Sequence, residues 1–201
     1  SARRTTSRRR CRRRARSTAR AEVSEQQRVR DADRGEDQKR NRPVRQDLRP
    51  LLTADHSSFR DRGIAPEVLE ELGAGYYEGG PRSRSPLRGR LVFQIRGLSV
   101  DASGSTEPVI LSHIGRATTE EQEDATGKWL FYAGFHASLE LYNQDMVVLD
   151  AEARRQATES GRLILVEGCF DVAKLWSAGI RNTVASFGAH LSDDQAARLR
   201  W

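Results

Sequence analysis

The chain has 201 residues, which is enough for one domain of ordinary size or for one domain with a terminal arm. Its net charge of +6 is unevenly distributed. Ten of the first twenty residues are Arg and none of them is acidic, so this segment carries +10 and residues 21–201 carry −4. The basic character therefore belongs to the start of the chain and not to the part that has the composition to fold.

The cysteine content and the hydropathy pattern exclude several classes of protein. The two cysteines, Cys11 and Cys169, are too few for a disulfide-framed secreted domain or a four-ligand zinc site. No apolar run approaches the ~18–20 residues that a membrane-spanning helix requires. The Arg-rich start lacks the apolar segment of a secretory signal. We therefore expect a cytoplasmic protein without a membrane partner.

Residues 1–50 contain few large apolar side chains and are rich in Arg, Asp, Glu, Gln and Ser. This composition predicts a disordered basic arm. One interpretation is a solvated run of charge, and another is a sequence-independent contact with nucleic-acid phosphates. A third is that this segment is an artefact of where the chain begins, since the chain opens on Ser1 and not on Met, as a fragment would.

The next hundred residues predict a mixture of helix and antiparallel strand. A helix is expected at residues 65–72, with a Pro near its start, acidic residues in its first turn and a Gly after its end. Residues 90–96 have the β-branched and aromatic content of a strand. Residues 109–114 have a similar content, and we expect them to pair antiparallel with the first strand.

The last fifty residues alternate between helical and strand patterns. Their apolar run at residues 163–166 predicts a strand that is buried on both faces. The other predicted elements are a helix at 151–160 between Asp150 and Gly161, a helix around 172–176, a second strand at 183–186 and a helix that begins after Ser192. This order predicts a βαβ unit with a parallel sheet.

Glu167 is the first candidate for chemistry, because it ends the apolar strand and precedes Gly168. In open parallel sheets, ligands gather at the carboxyl ends of the strands. A carboxylate there can coordinate a hydrated divalent ion or exchange a proton with a substrate. From the spacing alone, a surface Glu at a strand end is the competing interpretation. His56, His113 and His190 lack acidic or Cys partners at ligand spacing and are expected to be structural or solvent-facing.

The run from Leu163 to Leu199 is similar to the first half of the TOPRIM fold in DnaG-type bacterial DNA primases. In that family an apolar strand ends in Glu-Gly, an aromatic and Asp-Val follow, and an Ala-Gly-Ile turn leads to a strand that enters a Ser-Leu-Gly-type turn. The similar residues here are Glu167-Gly168, Phe170-Asp171-Val172, Ala178-Gly179-Ile180 and Ala185-Ser186-Phe187-Gly188.

TOPRIM domains occur in several enzyme classes, and the upstream segment narrows the resemblance to the primases. The similar residues there are Gly89-Arg90 to Ile95, Gly115-Arg116, Gly127-Lys128-Trp129-Leu130, Leu141-Tyr142 and the opening segment Phe59 to Ile64. The resemblance covers about residues 55–201. It implies an α+β subdomain of the catalytic core at residues 51–145, followed by a partial α/β TOPRIM domain with a parallel sheet at residues 146–201.

The resemblance implies a DNA-directed RNA polymerase that makes RNA primers on single-stranded DNA during replication. Its substrates would be ribonucleoside triphosphates, its metal Mg²⁺ or Mn²⁺, and a replicative helicase a further candidate partner. Glu167 would be a catalytic carboxylate that holds the metal. Asp171 would either orient the loop of Glu167 or lie in the outer metal shell. Arg90, Arg116 and Lys128 would line a basic groove, since such cations pair with phosphates and stabilise charge that develops in phosphoryl transfer.

Several departures from the family pattern change these expectations. Gln94 stands where the family has Pro, and Ala137-Ser138 stand where it has Lys-Gly, which removes one expected phosphate contact. The family's Asp-x-Asp motif would fall beyond Trp201. One Glu does not hold Mg²⁺ firmly, so we expect an incomplete fragment that is inactive or nearly so by itself.

Two other functions remain open from the sequence. The first is another TOPRIM phosphoryl-transfer enzyme, such as a primase-helicase of phage type. The second is a nucleic-acid-binding protein without catalysis that works through the Arg-rich arm of residues 1–20.

Overall fold

The computed structural model of the protein describes residues 40–199. Cys11 and most of the arm predicted for residues 1–50 lie outside these residues. Within the remainder of that predicted arm, Asn41 and Leu48 are buried, so packing begins earlier than the predicted boundary at residue 50. Residues from Asn41 onward belong to one compact unit. The division into subdomains at residue 145 stays a prediction.

The described residues form six strands and seven α-helices. The strands are β1 (Ala74–Tyr77), β2 (Arg90–Val100), β3 (Thr106–Arg116), β4 (Trp129–Phe131), β5 (Ile164–Val166) and β6 (Thr183–Ala185). The helices are α1 (Ser57–Arg60), α2 (Pro66–Leu72), α3 (Glu120–Thr126), α4 (Gln144–Leu149), α5 (Ala151–Ser160), α6 (Cys169–Ser177) and α7 (Asp193–Arg198). Short 3-10 turns lie at Arg49–Leu51 and Ala137–Leu139. Among residues 40–199, no helix has the length and apolar character needed to cross a membrane.

Strands β1 to β4 form an antiparallel sheet in chain order. The β2–β3 pair runs from Leu91 opposite Arg116 to Val100 opposite Thr106, with one register shift after Ile95. This pairing confirms the predicted antiparallel strands. Both strands are longer than predicted, because their far halves pair with each other as a hairpin that is mostly exposed and lacks an apolar pattern.

Strands β5 and β6 pair in parallel, with Ile164 opposite Thr183 and helix α6 between them in the chain. The predicted βαβ unit is therefore confirmed. The prediction that β5 is buried on both faces is wrong, because Ile164 and Leu165 are 36% and 40% exposed. Within residues 40–199, β5 pairs with β6 alone, which leaves its other edge and part of its apolar surface uncovered.

The helix ends follow the predicted capping signals. The Asp150 carboxylate accepts a hydrogen bond from the Ala153 amide at 2.8 Å and starts α5. At the start of α7, the Ser192 hydroxyl accepts from the Gln195 amide at 3.1 Å, and the Gln195 side-chain carbonyl accepts from the Ser192 amide at 3.0 Å. These reciprocal bonds satisfy amides that have no partner within the helix, so the local sequence fixes where these helices begin.

Arg90, at the start of β2, is a buried structural residue with 1% of its surface exposed. Its guanidinium donates to the carbonyls of Gly115, Gln122 and Gly127 at 3.3 Å and to the hydroxyl of Thr126 at 2.5 Å. These bonds tie β3 and α3 to the central strand. The expectation that Arg90 lines an open basic groove does not agree with this burial, because its donors are already bonded to the protein.

His113 lies on β3 and is fully buried. Its ring packs edge-on against Tyr132 with the centroids 6.0 Å apart, and neither ring nitrogen has a hydrogen-bond partner within residues 40–199. Burial lowers the pKa of His113 to about 4, against a smaller opposing effect of the Asp47 charge. The ring is therefore neutral at neutral pH, and His113 is structural, as expected from the sequence.

Replacement of Arg90 by Lys should destabilise the fold. A Lys side chain has one ammonium in place of the guanidinium fork, so it leaves several of the buried carbonyl groups unsatisfied. We expect Arg90→Lys to lower the free energy of unfolding by about 2–4 kcal/mol in urea titrations. Arg88→Lys is the matched control, since Arg88 is exposed two residues away. Equal stability of the two variants would contradict the structural role of Arg90.

His113 should make the stability of the protein sensitive to mild acid. A histidine in the unfolded chain titrates near pH 6.5, whereas His113 in the folded chain titrates near 4. The unfolded state therefore binds an additional proton between these values, so stability decreases as the pH falls from about 6.5 to about 4. We expect the urea midpoint of His113→Gln to decrease less between pH 7 and 5 than that of the wild type. His190→Gln, at an exposed position, should decrease as the wild type does, and an identical profile for all three proteins would contradict this prediction.

Candidate active site

A cavity of about 350 Å³ lies where the antiparallel sheet meets the start of α6. The end of β3 contributes Arg116 to its lining, and β4 contributes Trp129 and Phe131. Glu167 and Asp171 line it from the other side, between β5 and the first turn of α6. The fold thus brings together three of the five site residues that the sequence predicts, at the carboxyl end of a parallel strand.

The two acidic residues of the cavity have different environments. The Asp171 carboxylate accepts a hydrogen bond from the Gly168 amide at 3.2 Å, so it braces the turn that carries Glu167. This contact supports the first of the two roles predicted for Asp171. Glu167 is exposed at the end of β5, and no side chain within residues 40–199 forms an ion pair with it. Its carboxylate is therefore available to a ligand.

The donor set of the cavity is too small for a metal centre. Among the residues that the structure describes, Glu167 and Asp171 are the only acidic ones in its lining, and one of them already accepts a backbone hydrogen bond. Across residues 40–199, no three His, Cys, Asp or Glu side chains lie close enough together to hold an ion. Divalent ions such as Mg²⁺ take six oxygen ligands, several of which are usually carboxylates or waters. The described residues by themselves therefore do not fit a resident metal.

Arg116 supplies positive charge beside these carboxylates. Its guanidinium carbon lies 5.7 Å from the ring centroids of both Trp129 and Phe170. Contacts with ring faces attract the cation without using its N–H donors, which point outward in the guanidinium plane. Arg116 forms no ion pair in the described part of the chain. Its donors therefore remain available for an anion in the cavity.

Arg62 is a second cation at this site, and sequence reasoning gave it no role. Its guanidinium carbon lies 5.1 Å from the centroid of Phe170, and it donates a hydrogen bond to the Ser58 carbonyl. Arg62 lies just after α1, far along the chain from Phe170, so only the tertiary fold shows the contact. The available signal was the resemblance of the segment from Phe59 to Ile64 to the family's opening.

Lys128 and Arg90 lie outside the lining of the cavity. Lys128 is exposed and directly precedes Trp129, while its carbonyl accepts a hydrogen bond from the Ala117 amide at 2.9 Å. Lys128 therefore lies directly before β4, which forms part of the cavity wall, and its backbone is bonded to the residue that follows Arg116. The Arg90 side chain is buried between β2, β3 and α3, where its donors are bonded to the protein.

Cys169 also lines the cavity. The residue is buried, and burial raises the pKa of its thiol well above the ordinary range. A thiol in this state is protonated at neutral pH and is a poor nucleophile. The chemistry of the cavity therefore rests on its carboxylates and arginines.

A second cavity of about 430 Å³ lies beside the uncovered side of β5. Its described lining is mainly apolar, with Ala157, Leu163, Leu165 and Leu199, and Arg162 is the one charged residue among the described ones. Although this cavity is larger, it lacks the convergent polar groups that mark a catalytic site. The smaller cavity with Glu167 and Arg116 is the better candidate.

Comparison with known proteins agrees with this location. The Toprim domain family matches residues 161–201, which include Glu167 and Asp171. A curated DNA primase from Aquifex aeolicus (strain VF5) is 51% identical over 48 residues, which are 24% of this chain and 10% of that protein.

Solved structures extend the similarity to most of the described fold. The zinc-binding and RNA polymerase domains of the Aquifex aeolicus primase match with a TM-score of 0.51 and 26% identity over 69% of this chain and 38% of that one. The DnaG catalytic core matches with a TM-score of 0.52 and 25% identity over 76% of this chain and 53% of that one. The RNA polymerase domain of Mycobacterium tuberculosis DnaG, at 17% identity and a TM-score of 0.53, shares the fold.

The chain spans a tenth of the curated primase and about 40–50% of the first two solved chains. Within that span, the antiparallel sheet, the βαβ unit and the Toprim residues occur together in one compact unit. Sequence and fold thus agree that this chain is related to the catalytic core of the DnaG-type DNA primases.

Proposed function

We propose that the cavity is the nucleotidyl-transfer site of a DNA primase-like protein, which takes part in RNA primer synthesis on single-stranded DNA. The observation that carries this proposal is the presence of Glu167, Asp171 and Arg116 in one cavity. The Toprim match covers both carboxylates, and the similarity to the DnaG catalytic core extends over 76% of the chain. We also propose that residues 51–145 and 146–201 are the two subdomains between which this site forms.

In nucleotidyl transfer, a 3′-hydroxyl attacks an α-phosphate, a new P–O bond forms, and the bond to the pyrophosphate leaving group breaks. Negative charge develops on the phosphate oxygens and on the leaving group. Arg116 lines the cavity and is positioned to bind these oxygens through its N–H donors. The aromatic rings beside Arg116 lower the local polarity, which strengthens its attraction to a phosphate. Lys128 would add a phosphate contact at the rim.

Glu167 is the proposed catalytic carboxylate, and Asp171 is a positioning residue that holds its turn through the Gly168 amide. A divalent metal, Mg²⁺ or Mn²⁺, is expected for the relatives of this chain, and Glu167 would be one of its ligands. Because the described carboxylates do not complete a metal site, we assign no step to the metal. The use of ribonucleoside triphosphates and of a helicase partner rests on the resemblance alone.

Arg116 should contribute to the binding of single-stranded DNA. We expect Arg116→Gln to lower the affinity for a labelled oligonucleotide several-fold in fluorescence anisotropy, because the substitution removes a cation from the cavity. It should also reduce the slope of log K against log salt by about 0.7, the value for one phosphate contact on a single strand.

Arg154→Gln is the matched control for this measurement, since Arg154 is an exposed Arg on α5 and does not line the cavity. Its affinity and salt slope should remain those of the wild type. Removal of residues 1–20 should lower the overall affinity and leave the effect of Arg116→Gln in place. If the effect disappears with the arm, the non-catalytic binding function is favoured over the primase-like function.

We expect the 201-residue chain by itself to bind a template without primer synthesis above background, because residues 40–199 present too few carboxylates at the cavity for the expected metal chemistry. The measurement is incorporation of labelled ribonucleotides on single-stranded DNA with Mg²⁺ or Mn²⁺. Synthesis that is lost in Glu167→Gln would contradict this expectation and would show that the site is complete.

A further inference from the structure

Two phenylalanines form an aromatic corner in the cavity. Phe131 and Phe187 both line it, and their ring centroids are 5.6 Å apart at an interplanar angle of 75°. Both rings are half-buried. Phe135 packs behind them, stacked on Phe131 at 5.4 Å and edge-on to Phe187 at 5.9 Å. Phe135 does not line the cavity. Phe131 and Phe187 therefore form the side of the corner that faces the cavity, and Phe135 packs against them from the other side.

The backbone of Phe187 is held in an unfavourable conformation. Its φ of 63° places a bulky side chain in the left-handed region, which such residues seldom adopt. The Gln195 side chain donates to the Ser186 carbonyl at 2.9 Å, and the Ser186 hydroxyl donates to the Gly188 carbonyl at 2.7 Å. These bonds fix the turn on both sides of Phe187. Its ring is therefore directed at the cavity by specific polar contacts and not by core packing alone.

The same cavity holds the cation of Arg116, which lies over the ring of Phe170. A ligand that satisfies both features has a flat π surface and a nearby negative charge. A nucleobase joined to a phosphate has both, whereas an acyl chain lacks the flat ring and a free phosphate lacks the apolar part. The cavity volume of about 350 Å³ lies within the ordinary range for small-molecule sites.

We propose that Phe131 and Phe187 form a nucleobase-stacking subsite, with the phosphate of the bound nucleotide or of its neighbour at Arg116. This inference rests on the proposed function and adds what the site recognises, namely the base face as well as the phosphate. Base stacking on aromatic side chains tolerates every base, because all bases have a π face. The subsite therefore confers affinity without sequence preference.

The test compares oligonucleotides with and without bases. The full chain is titrated with labelled oligodeoxythymidine and with an abasic oligonucleotide of the same length and label, at the same raised salt concentration. We expect the wild type to bind the base-bearing strand roughly tenfold more tightly, as stacking of one base predicts. Phe131→Leu and Phe187→Leu should lose most of this preference while their affinity for the abasic strand stays the same. The Arg-rich residues 1–20 are identical in all of these proteins, so their contribution is common to every comparison.

Tyr76→Leu is the matched control, because Tyr76 is a half-buried aromatic residue that stacks on His56 and does not line the cavity. It should retain the preference for the base-bearing strand. Equal loss in Tyr76→Leu and Phe187→Leu would overturn the subsite, since it would indicate a general effect on the fold and not the loss of a ligand contact. Circular dichroism and urea unfolding of each variant establish that the fold is retained.

Competition experiments distinguish a base that belongs to a free nucleotide from a base that belongs to the template strand. Thymidine monophosphate and ribonucleoside triphosphates that displace the oligonucleotide from the wild type, but less well from Phe187→Leu, would indicate a nucleotide-binding subsite. Displacement by unlabelled oligonucleotide alone would indicate a template-strand subsite, and either result supports stacking. If the two strands bind equally and depend on Arg116, the stacking inference fails and the proposed function stands. If neither strand binds, both fail.

Discussion

The arrangement of the site depends on the contacts that the ring of Phe170 makes. This ring lies 5.0 Å from Phe93 and 5.6 Å from Phe59, measured between ring centroids, and so fixes the start of α6 against the antiparallel sheet. The same ring lies under the guanidinium groups of Arg62 and Arg116. Because Glu167 lies just before α6 and Asp171 lies in its first turn, one buried aromatic residue sets the position of the Arg116 cation relative to the acids.

This arrangement explains how positive and negative groups remain close without neutralising each other. The Arg116 guanidinium is held over the rings of Trp129 and Phe170 by their quadrupoles and by apolar contact, and this leaves its N–H donors for a ligand. Arg90 shows the opposite use of the same side chain, since its donors bond to carbonyls and a hydroxyl and stabilise the sheet. In this fold a structural arginine therefore bonds its donors to the protein, whereas a ligand-binding arginine keeps them for the ligand.

Local sequence signals predicted much of the fold, and tertiary contacts decided the remainder. Caps such as Asp150 and the strand patterns depend on neighbours in the chain, so their elements were predicted within a few residues. Arg90 and Arg116 each follow a Gly, and the sequence pattern does not separate them. Their burial differs because Arg90 begins the central strand under α3, whereas Arg116 ends β3 at the cavity. Likewise, the apolar composition of β5 predicted burial, but burial on both faces requires elements that cover both faces of the sheet, which composition does not encode.

The aromatic wall of the cavity shows the same dependence on distant residues. Gln195, on the last helix, donates to the carbonyls of Ser186, Ala137 and Glu140 at 2.9–3.1 Å. One buried amide thus joins the turn of Phe187 to the segment that follows Phe135. A side-chain amide has only two N–H donors, so two of these three carbonyls share one of them. This one amide therefore links the two sides of the wall, and the strained φ of Phe187 persists because Gln195 and the Ser186 hydroxyl fix the flanking peptides.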